Sequence, residues 1–389
     1  MRFPNYLCAP LAAMGLTACI GGFETDPLVE YSTEIVVQGE KPQVVARQLR
    51  AGTYLIEIRE RDIDLRARVD AGAQRSELAD AYLRHGLHRT VVSLDAPQTL
   101  KVTLASTDQR SWRGAAAVRI LRWPKPARDA PPDRRLLGFI ALAKGNELVA
   151  RDSRESWHAA IGPMNEAAEH FRAAHDLRSL AETEYQRGFV EFNLLLDFAA
   201  ARKSAESAQA HFRAVDDELG ATRTSLLLSF AEVNIADELT RDERLASFHV
   251  LRARLRKAQE YFDAHEAPSD ACEALNLRAM PDGILGDYEQ QGRIYAEVLS
   301  RARARGDKYY EAVATQNLAY VASRKGEMAR AAAMYETALP LIERDRNPDA
   351  YATIIANLGQ SLIALGDFDR ALQLQTEALD VFSARGDDS

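Results

Sequence analysis

The sequence predicts a chain in two parts: an amino-terminal antiparallel β-sandwich, then an all-α solenoid of stacked helical hairpins. Three observations carry that prediction. Between Glu34 and Trp123 apolar residues alternate with polar ones, the pattern of strands covered on one face. Beyond Pro132 the apolar spacing lengthens to three and four residues, the helical period. From Ala271 to Gly386 the chain repeats itself every forty residues, a supersecondary unit rather than a heptad.

Residues 1–19 read as an export signal, with Arg2 as the positive end and Leu11 to Leu16 as a short apolar stretch. The stretch is too short to span a bilayer as a permanent helix. Leu16-Thr17-Ala18-Cys19 resembles the lipobox of bacterial lipoproteins. That resemblance implies acylation of Cys19 and, with Ile20 after it, a periplasm-facing protein held at the outer membrane. Several acyl chains hold a protein firmly on a membrane, whereas one does not. A plain secretory signal and a misassigned start are the alternatives. Of the three cysteines, Cys8 leaves with the signal and Cys19 carries lipid, so Cys272 remains alone and no disulfide forms within the mature chain. Its expected role is a small buried hydrophobe in a helix.

Composition narrows the function classes. At 389 residues, 47% hydrophobic and 27% charged, the chain is a globular protein of more than one domain. A net charge of −8 with scattered basic residues gives no electrostatic footprint for nucleic acid.

The sandwich occupies residues 29–123. Tyr54, Ile56 and Ile58 share one strand face, with Leu55 and Glu57 on the other. Leu65, Ala67 and Val69 alternate with charged residues, as do Leu100, Val102 and Leu104 with Lys101 and Thr103. Val91 to Leu94 and Ala117 to Leu121 supply further strands. The run Ala51 to Ile58, followed by Asp62 and Asp64, is similar to the jelly-roll-like domains beside bacterial secreted peptidases. Asp62, Asp64 and Asp70 offer oxygens of the kind calcium requires, but alternation puts Asp64 on an outward face and the others at strand ends, so no calcium site is expected. Pro124, Pro126, Pro131 and Pro132 then stop both strand and helix, making residues 124–134 a semi-rigid linker.

Residues 135–389 form the solenoid. Gly286-Asp287-Tyr288, Gly326-Glu327-Met328 and Gly366-Asp367-Phe368 mark the turn inside three successive hairpins, where glycine tolerates left-handed backbone angles. Asn317-Leu318-Ala319, Gly326, Ala331, Tyr335 and Ala338-Leu339, with the copy Asn357-Leu358-Gly359, Gly366, Ala371 and Ala378-Leu379, look like tetratricopeptide repeats. Working backwards, Ala167 and Phe171, Ala208 and Phe212, and Ala258 and Phe262 mark earlier second helices, so six helix pairs fit. The third pair has about ten extra residues around Leu239 to Val250. Pro281-Asp282-Gly283 is expected to disturb the first helix of the fourth pair, and Pro340 to unwind the second helix of the fifth.

No phosphate loop, paired cysteine ligands, His-Glu-x-x-His or nucleophile elbow occurs, so neither catalysis nor a cofactor is expected. His170 and His211 recur at equivalent positions, a register that suits packing between units better than a metal. Trp112, Trp123 and Trp157 suit the core or the domain boundary. What remains is surface. By analogy with tetratricopeptide units, the groove residues are Gln316, Asn317, Tyr320 and Arg324 in the fifth pair and Thr353, Asn357 and Gln360 in the sixth. Asparagine there can hold a peptide backbone or bond between adjacent helices. Leu374 and Val381 form a stripe on the last helix with nothing in the sequence to cover it, an end expected to meet a partner or a second copy, or to mark a shortened reading frame.

Lipobox, sandwich, linker and repeats in this order resemble the amino-terminal part of bacterial tetratricopeptide proteins that carry a CHAT domain, a caspase-like cysteine peptidase. The peptidase part and its His and Cys are not in this sequence, so no catalytic residue is carried over. The expected function is a membrane-anchored scaffold binding a protein or peptide; the alternative is the recruiting part of such a peptidase.

Overall fold

A computed structural model of the chain describes residues 27–38, 41–61, 63, 65–78, 87–106, 113–125, 130–151, 153–342, 344 and 347–384. The export signal with Cys19, Asp62, Asp64 and Trp112 lie outside the described residues.

Among the described residues alternation builds eight strands: β1 (Leu28–Gln38), β2 (Gln43–Leu49), β3 (Gly52–Arg61), β4 (Leu65–Ala71), β5 (Gln74–Leu78), β6 (Leu87–Leu94), β7 (Gln98–Ser106) and β8 (Arg113–Arg122). They form two antiparallel four-stranded sheets in the orders β1-β8-β3-β6 and β2-β7-β4-β5. That interleaving is the double Greek key of a jelly roll. Tyr54, Ile56 and Ile58 meet Leu65, Val69, Leu100, Val102 and Leu104 between the sheets.

Leu55 departs from the alternating plan. It points away from that core yet is only 2% exposed, because the outer face of its sheet is covered by the helical region. Leu55, Leu121 and Trp123 join Phe139 and Leu142 in a second core, and burying a leucine this way stabilises by about 1.5–3 kcal/mol. The Trp123 indole N–H donates to the Asp133 carboxylate at 3.1 Å, tying together the two ends of the proline-rich segment.

Among the described residues twelve α-helices follow: α1 (Arg134–Val149), α2 (Arg154–Ala173), α3 (Leu177–Asn193), α4 (Phe198–Ala214), α5 (Glu218–Asn234), α6 (Arg241–Ala264), α7 (Pro268–Ile284), α8 (Tyr288–Arg305), α9 (Lys308–Arg324), α10 (Met328–Ala338), α11 (Pro348–Leu365) and α12 (Phe368–Ala384). They pair into six hairpins, each packed on the next. The extra length of the third pair is a short 3-10 turn, Ala236–Glu238, and an α6 of 24 residues. Pro340 ends α10, and the chain continues as a 3-10 turn over Leu339–Leu341. Pro281 does not disturb α7 as expected: it falls in the last turn, and the helix runs on to Ile284. Its missing N–H costs one bond, while the Pro281 carbonyl still accepts from the Leu285 N–H at 3.0 Å.

One device serves most inter-helix turns. A residue with left-handed angles ends one helix, and the N–H of the next residue bonds back to a carbonyl of that helix, as Asp217 does to Phe212 at 2.9 Å and Asp307 to Ala302 at 2.9 Å. The same aspartates then cap the following helix, Asp217 accepting from the Gly220 N–H and Asp307 from the Tyr310 N–H. Gly286, Gly306, Gly326 and Gly366 supply the left-handed residue late in the chain, but His175, Leu196, Asp216 and Glu266 supply it earlier. A residue with a Cβ costs about 1–2 kcal/mol in that conformation, partly offset by glycine's greater freedom when unfolded. Glu266→Gly should therefore raise stability by about 0.5–1 kcal/mol in urea unfolding. Gly326→Ala, where an added Cβ meets no atom within 4 Å, should lower it by about 1 kcal/mol through the backbone alone.

Candidate interaction surface

The first helices of successive hairpins, α3, α5, α7, α9 and α11, lie side by side. Stacking hairpins this way leaves their shared inner side to solvent or a ligand. Taken at one register, thirteen residues after each helix's cap, that side carries Phe189, Phe230, Met280, Tyr320 and Gln360. The first three are half-buried, while Tyr320 and Gln360 are exposed. Phe230 is braced by Phe192 at 5.3 Å between ring centroids. The result is a ladder of aromatic and thioether rungs, one per hairpin, ending in an amide.

Four residues earlier the register gives Tyr185, Leu226, Asn276, Gln316 and Ala356. The Asn317 amide donates to the Asn276 side-chain oxygen at 2.7 Å, so this pair links α9 to α7. Nearer the helix starts the polar groups are also engaged. Arg223 of α5 bonds Asp270 of α7 at 3.1 Å, and the Tyr310 hydroxyl of α9 donates to Glu273 of α7 at 2.8 Å. Burial pushes the Asp270 carboxyl up, against the pull of Arg223. Tyr185 is likewise pushed up by burial and stays neutral.

The predicted groove residues separate into two groups. Tyr320 and Gln360 are exposed, and Gln316 and Asn357 are half-buried. Asn317, Thr353 and Arg324 already hold the scaffold. Thr353 donates to the Asp349 carbonyl within α11 at 2.7 Å. Arg324 lies over the Tyr288 ring of α8 at 5.5 Å and donates to its hydroxyl at 3.0 Å. Phe189, Phe230 and Met280 were not among the predicted residues; equal offsets from Asp176, Asp217 and Ala267 would have found them.

The expected stripe at Leu374 and Val381 is corrected. Val381 is 7% exposed and packs with Ala352, Ile355 and Ala378, and Leu374 is half-buried in the same cluster. At 100° per residue these positions face α11, the hairpin partner, so α11 covers them. The exposed apolar face of α12 is Phe368, Leu372 and Leu379, at 66%, 69% and 63%.

The histidines at equivalent positions in α2 and α4 bond to neighbouring helices. Glu184, buried, accepts from His211 at 2.7 Å and from Arg172 at 3.4 Å, and His170 meets Arg134 at 3.3 Å. Among the described residues no group of three His, Cys, Asp or Glu side chains could hold a metal ion, and no helix is long and apolar enough to cross a membrane. Burial pushes the Cys272 thiol up to about 11, so it is not a ready nucleophile.

Residues 310–384 match the family described as tetratricopeptide repeat. The helical region is thus a tetratricopeptide-type solenoid, and the solved structures it is similar to share that fold. One is a Rap protein complexed with competence and sporulation factor, at 15% identity and TM-score 0.52, covering 67% of this chain and 69% of that one. A second is the Rap conjugation gene regulator of the plasmid pLS20 in complex with the Phr* peptide, at 14% and 0.51, covering 66% and 77%. A third is NprR in complex with its cognate peptide NprX, at 16% and 0.50, covering 66% and 72%. No curated protein matches the chain in sequence.

Glu191 of α3 gives a test of the polar packing behind this surface. Burial pushes its carboxyl up, outweighing the Ser204 hydroxyl that donates to it at 2.5 Å and the nearby Arg187. A folded carboxyl with a raised pKa binds its proton more tightly than the unfolded one, so stability falls as pH rises through that range. Glu191→Gln should therefore show a higher urea midpoint than the parent at pH 7, with the gap closing as pH falls through the raised folded value towards about 4, the range of the unfolded carboxyl.

Proposed function

We propose that the chain is a scaffold whose inner helical face holds an extended peptide, or an extended segment of a partner protein, and that acylation of Cys19 tethers it to a membrane facing the periplasm. The observation that carries the first part is the ladder of Phe189, Phe230, Met280 and Tyr320, one apolar rung per hairpin, beside the amides of Gln316, Asn357 and Gln360. Apolar rungs give affinity and amides hold a peptide backbone through donor and acceptor together. Two of the similar structures are complexes with a peptide by name, which supports the same use of the fold here. The tether rests on Leu16-Thr17-Ala18-Cys19 after the short apolar stretch.

The spacing defines the ligand. Neighbouring helices sit about 8–10 Å apart, and an extended chain advances about 3.3 Å per residue. One rung therefore meets about every third residue of a peptide, and the ladder spans roughly ten residues.

Displayed random dodecapeptides selected on the full-length protein should enrich apolar residues at every third position and bind with micromolar affinity. Tyr320→Ala, at an exposed position, should weaken the selected peptides about tenfold without moving the melting temperature. Peptides that bind Tyr320→Ala and Gln360→Ala as well as the parent would place the site elsewhere. For the tether, Cys19→Ala should move the protein from the membrane fraction to the soluble fraction of its host; a protein that stays in the membrane fraction refutes acylation at that residue.

A further inference from the structure

The inner ladder starts at α3, although α1 offers the same register. Counted from Asp133, which caps α1, offsets of six, nine and thirteen residues give Phe139, Leu142 and Asn146. Those offsets fall within about 60° of one another around a helix, so they share a face. On α1 that face is already occupied from within the chain: Phe139 and Leu142 are buried against Leu55, Leu121 and Trp123. The sandwich therefore stands where a peptide following the ladder past α3 would continue. It also reaches α3 itself. Arg59 and Leu87 pair at one end of the β3 and β6 ladder. The Leu87 carbonyl accepts from the Gln186 amide at 2.8 Å, and the Arg59 guanidinium lies 3.5 Å from the carboxylate of Glu182, six residues after the α3 cap. The end of a sheet thus walls the inner face at α3.

Charge decides which end of a peptide suits that wall. Its acids are engaged: Glu57 lies between Arg89 and Arg119, and Glu182 between Arg89 and Arg59, with side chains only 12% and 9% exposed. Neither is open to an ammonium group. Its cations outnumber them, and two face solvent, Arg59 and Arg119 at 46% each. Among the described residues Arg59 has only the 3.5 Å contact with Glu182, too long for a strong hydrogen bond, so its fork of N–H donors is available.

We propose that this wall reads the carboxy terminus of the bound peptide: the chain lies along the ladder with its last residue at α3, and its terminal carboxylate pairs with the Arg59 guanidinium. A guanidinium fork matches a carboxylate with two parallel hydrogen bonds, stronger than neutral ones. The inference rests on the inner face being a peptide site and gives that site a direction and an end. The recognising side chain belongs to the sandwich and not to the repeats, so both regions contribute to one ligand site.

The probe is a synthetic dodecapeptide with leucine at every third position including the last, serine and asparagine between, and a fluorophore on its amino terminus, titrated with the full-length protein. The free acid should bind about tenfold more tightly than the carboxy-terminal amide. Three glycines added after the last leucine should weaken it by as much, although they restore a terminal carboxylate. Arg59→Gln, at a half-exposed position, should bring the acid down to the amide's affinity with the melting temperature unchanged, and Arg59→Lys should keep part of the preference. Equal binding of acid and amide overturns the proposal, as does a preference for the acid that survives Arg59→Gln. An amide ending in glutamate that binds like the free acid and tolerates the added glycines also overturns it, because the carboxylate is then a side chain in a groove that runs on past α3. Sensitivity to Tyr320→Ala separates the two levels. Acid and amide that are both weakened by it but bind the parent alike leave the ladder standing and remove the end wall, whereas a probe that fails to bind, or ignores Tyr320→Ala, removes the ladder and this inference with it.

Discussion

A helical hairpin cannot bury its own apolar faces; each must be covered by a neighbour. Everything in this chain follows from meeting that demand at the first hairpin and between the hairpins. At the beginning the jelly roll meets it. Leu55 and Leu121 leave the sandwich core to cover Phe139 and Leu142, and the Trp123, Phe139 and Phe171 rings pack edge to face in sequence. The sandwich is therefore the cap of the solenoid as much as a domain beside it. Arg89 fixes the angle of that cap. Its guanidinium is buried over the Phe139 ring and pairs with Glu57 of its own sheet and Glu182 of α3. Burial pulls its pKa down, but the two carboxylates outweigh this and the net shift is upward, so it stays charged. Such a pair adds little net stability against an apolar replacement, yet removing one member strands the others, which makes it a device for specifying one docking geometry.

How much of this the sequence showed depended on how each turn solves the same backbone problem. Where glycine takes the left-handed position, at Gly286, Gly326 and Gly366, the forty-residue period stands out and the last hairpins can be read directly. Where His175, Leu196, Asp216 and Glu266 take it, the strain is absorbed locally and the period fades, although the acid that caps the next helix persists at Asp176, Asp197 and Asp217. The strands were legible because sterics fix their alternation. Leu55 was not, since alternation cannot say that a sheet will be covered on both sides. The stripe at Leu374 and Val381 failed for a related reason: spacing shows that residues share a face but not which neighbour that face meets. Burial by α11 decided it, and the open face lies roughly a third of a turn or more away.

The same accounting separates surface from scaffold on the inner side. A tetratricopeptide-type analogy offers seven residues as ligand contacts, but Asn317, Arg324 and Thr353 are already used, as are other polar groups nearby. Asn317 is held by Asn276, Arg223 by Asp270 and Glu273 by Tyr310, bonds that run between first helices and set their spacing. Breaking one to greet a ligand would leave its partner short of a bond at a half-buried site, at about 1–3 kcal/mol. A ligand contact there must repay that cost before it contributes affinity. Phe189, Met280 and Tyr320 carry no such debt, and covering them removes apolar area from water at about 25 cal/mol per Å². On the proposed reading, apolar spacing therefore contributes affinity at the inner face beside the amides of Gln316, Asn357 and Gln360. The bonded polar pairs, Asn317 with Asn276, Arg223 with Asp270 and Tyr310 with Glu273, hold the first helices together behind it.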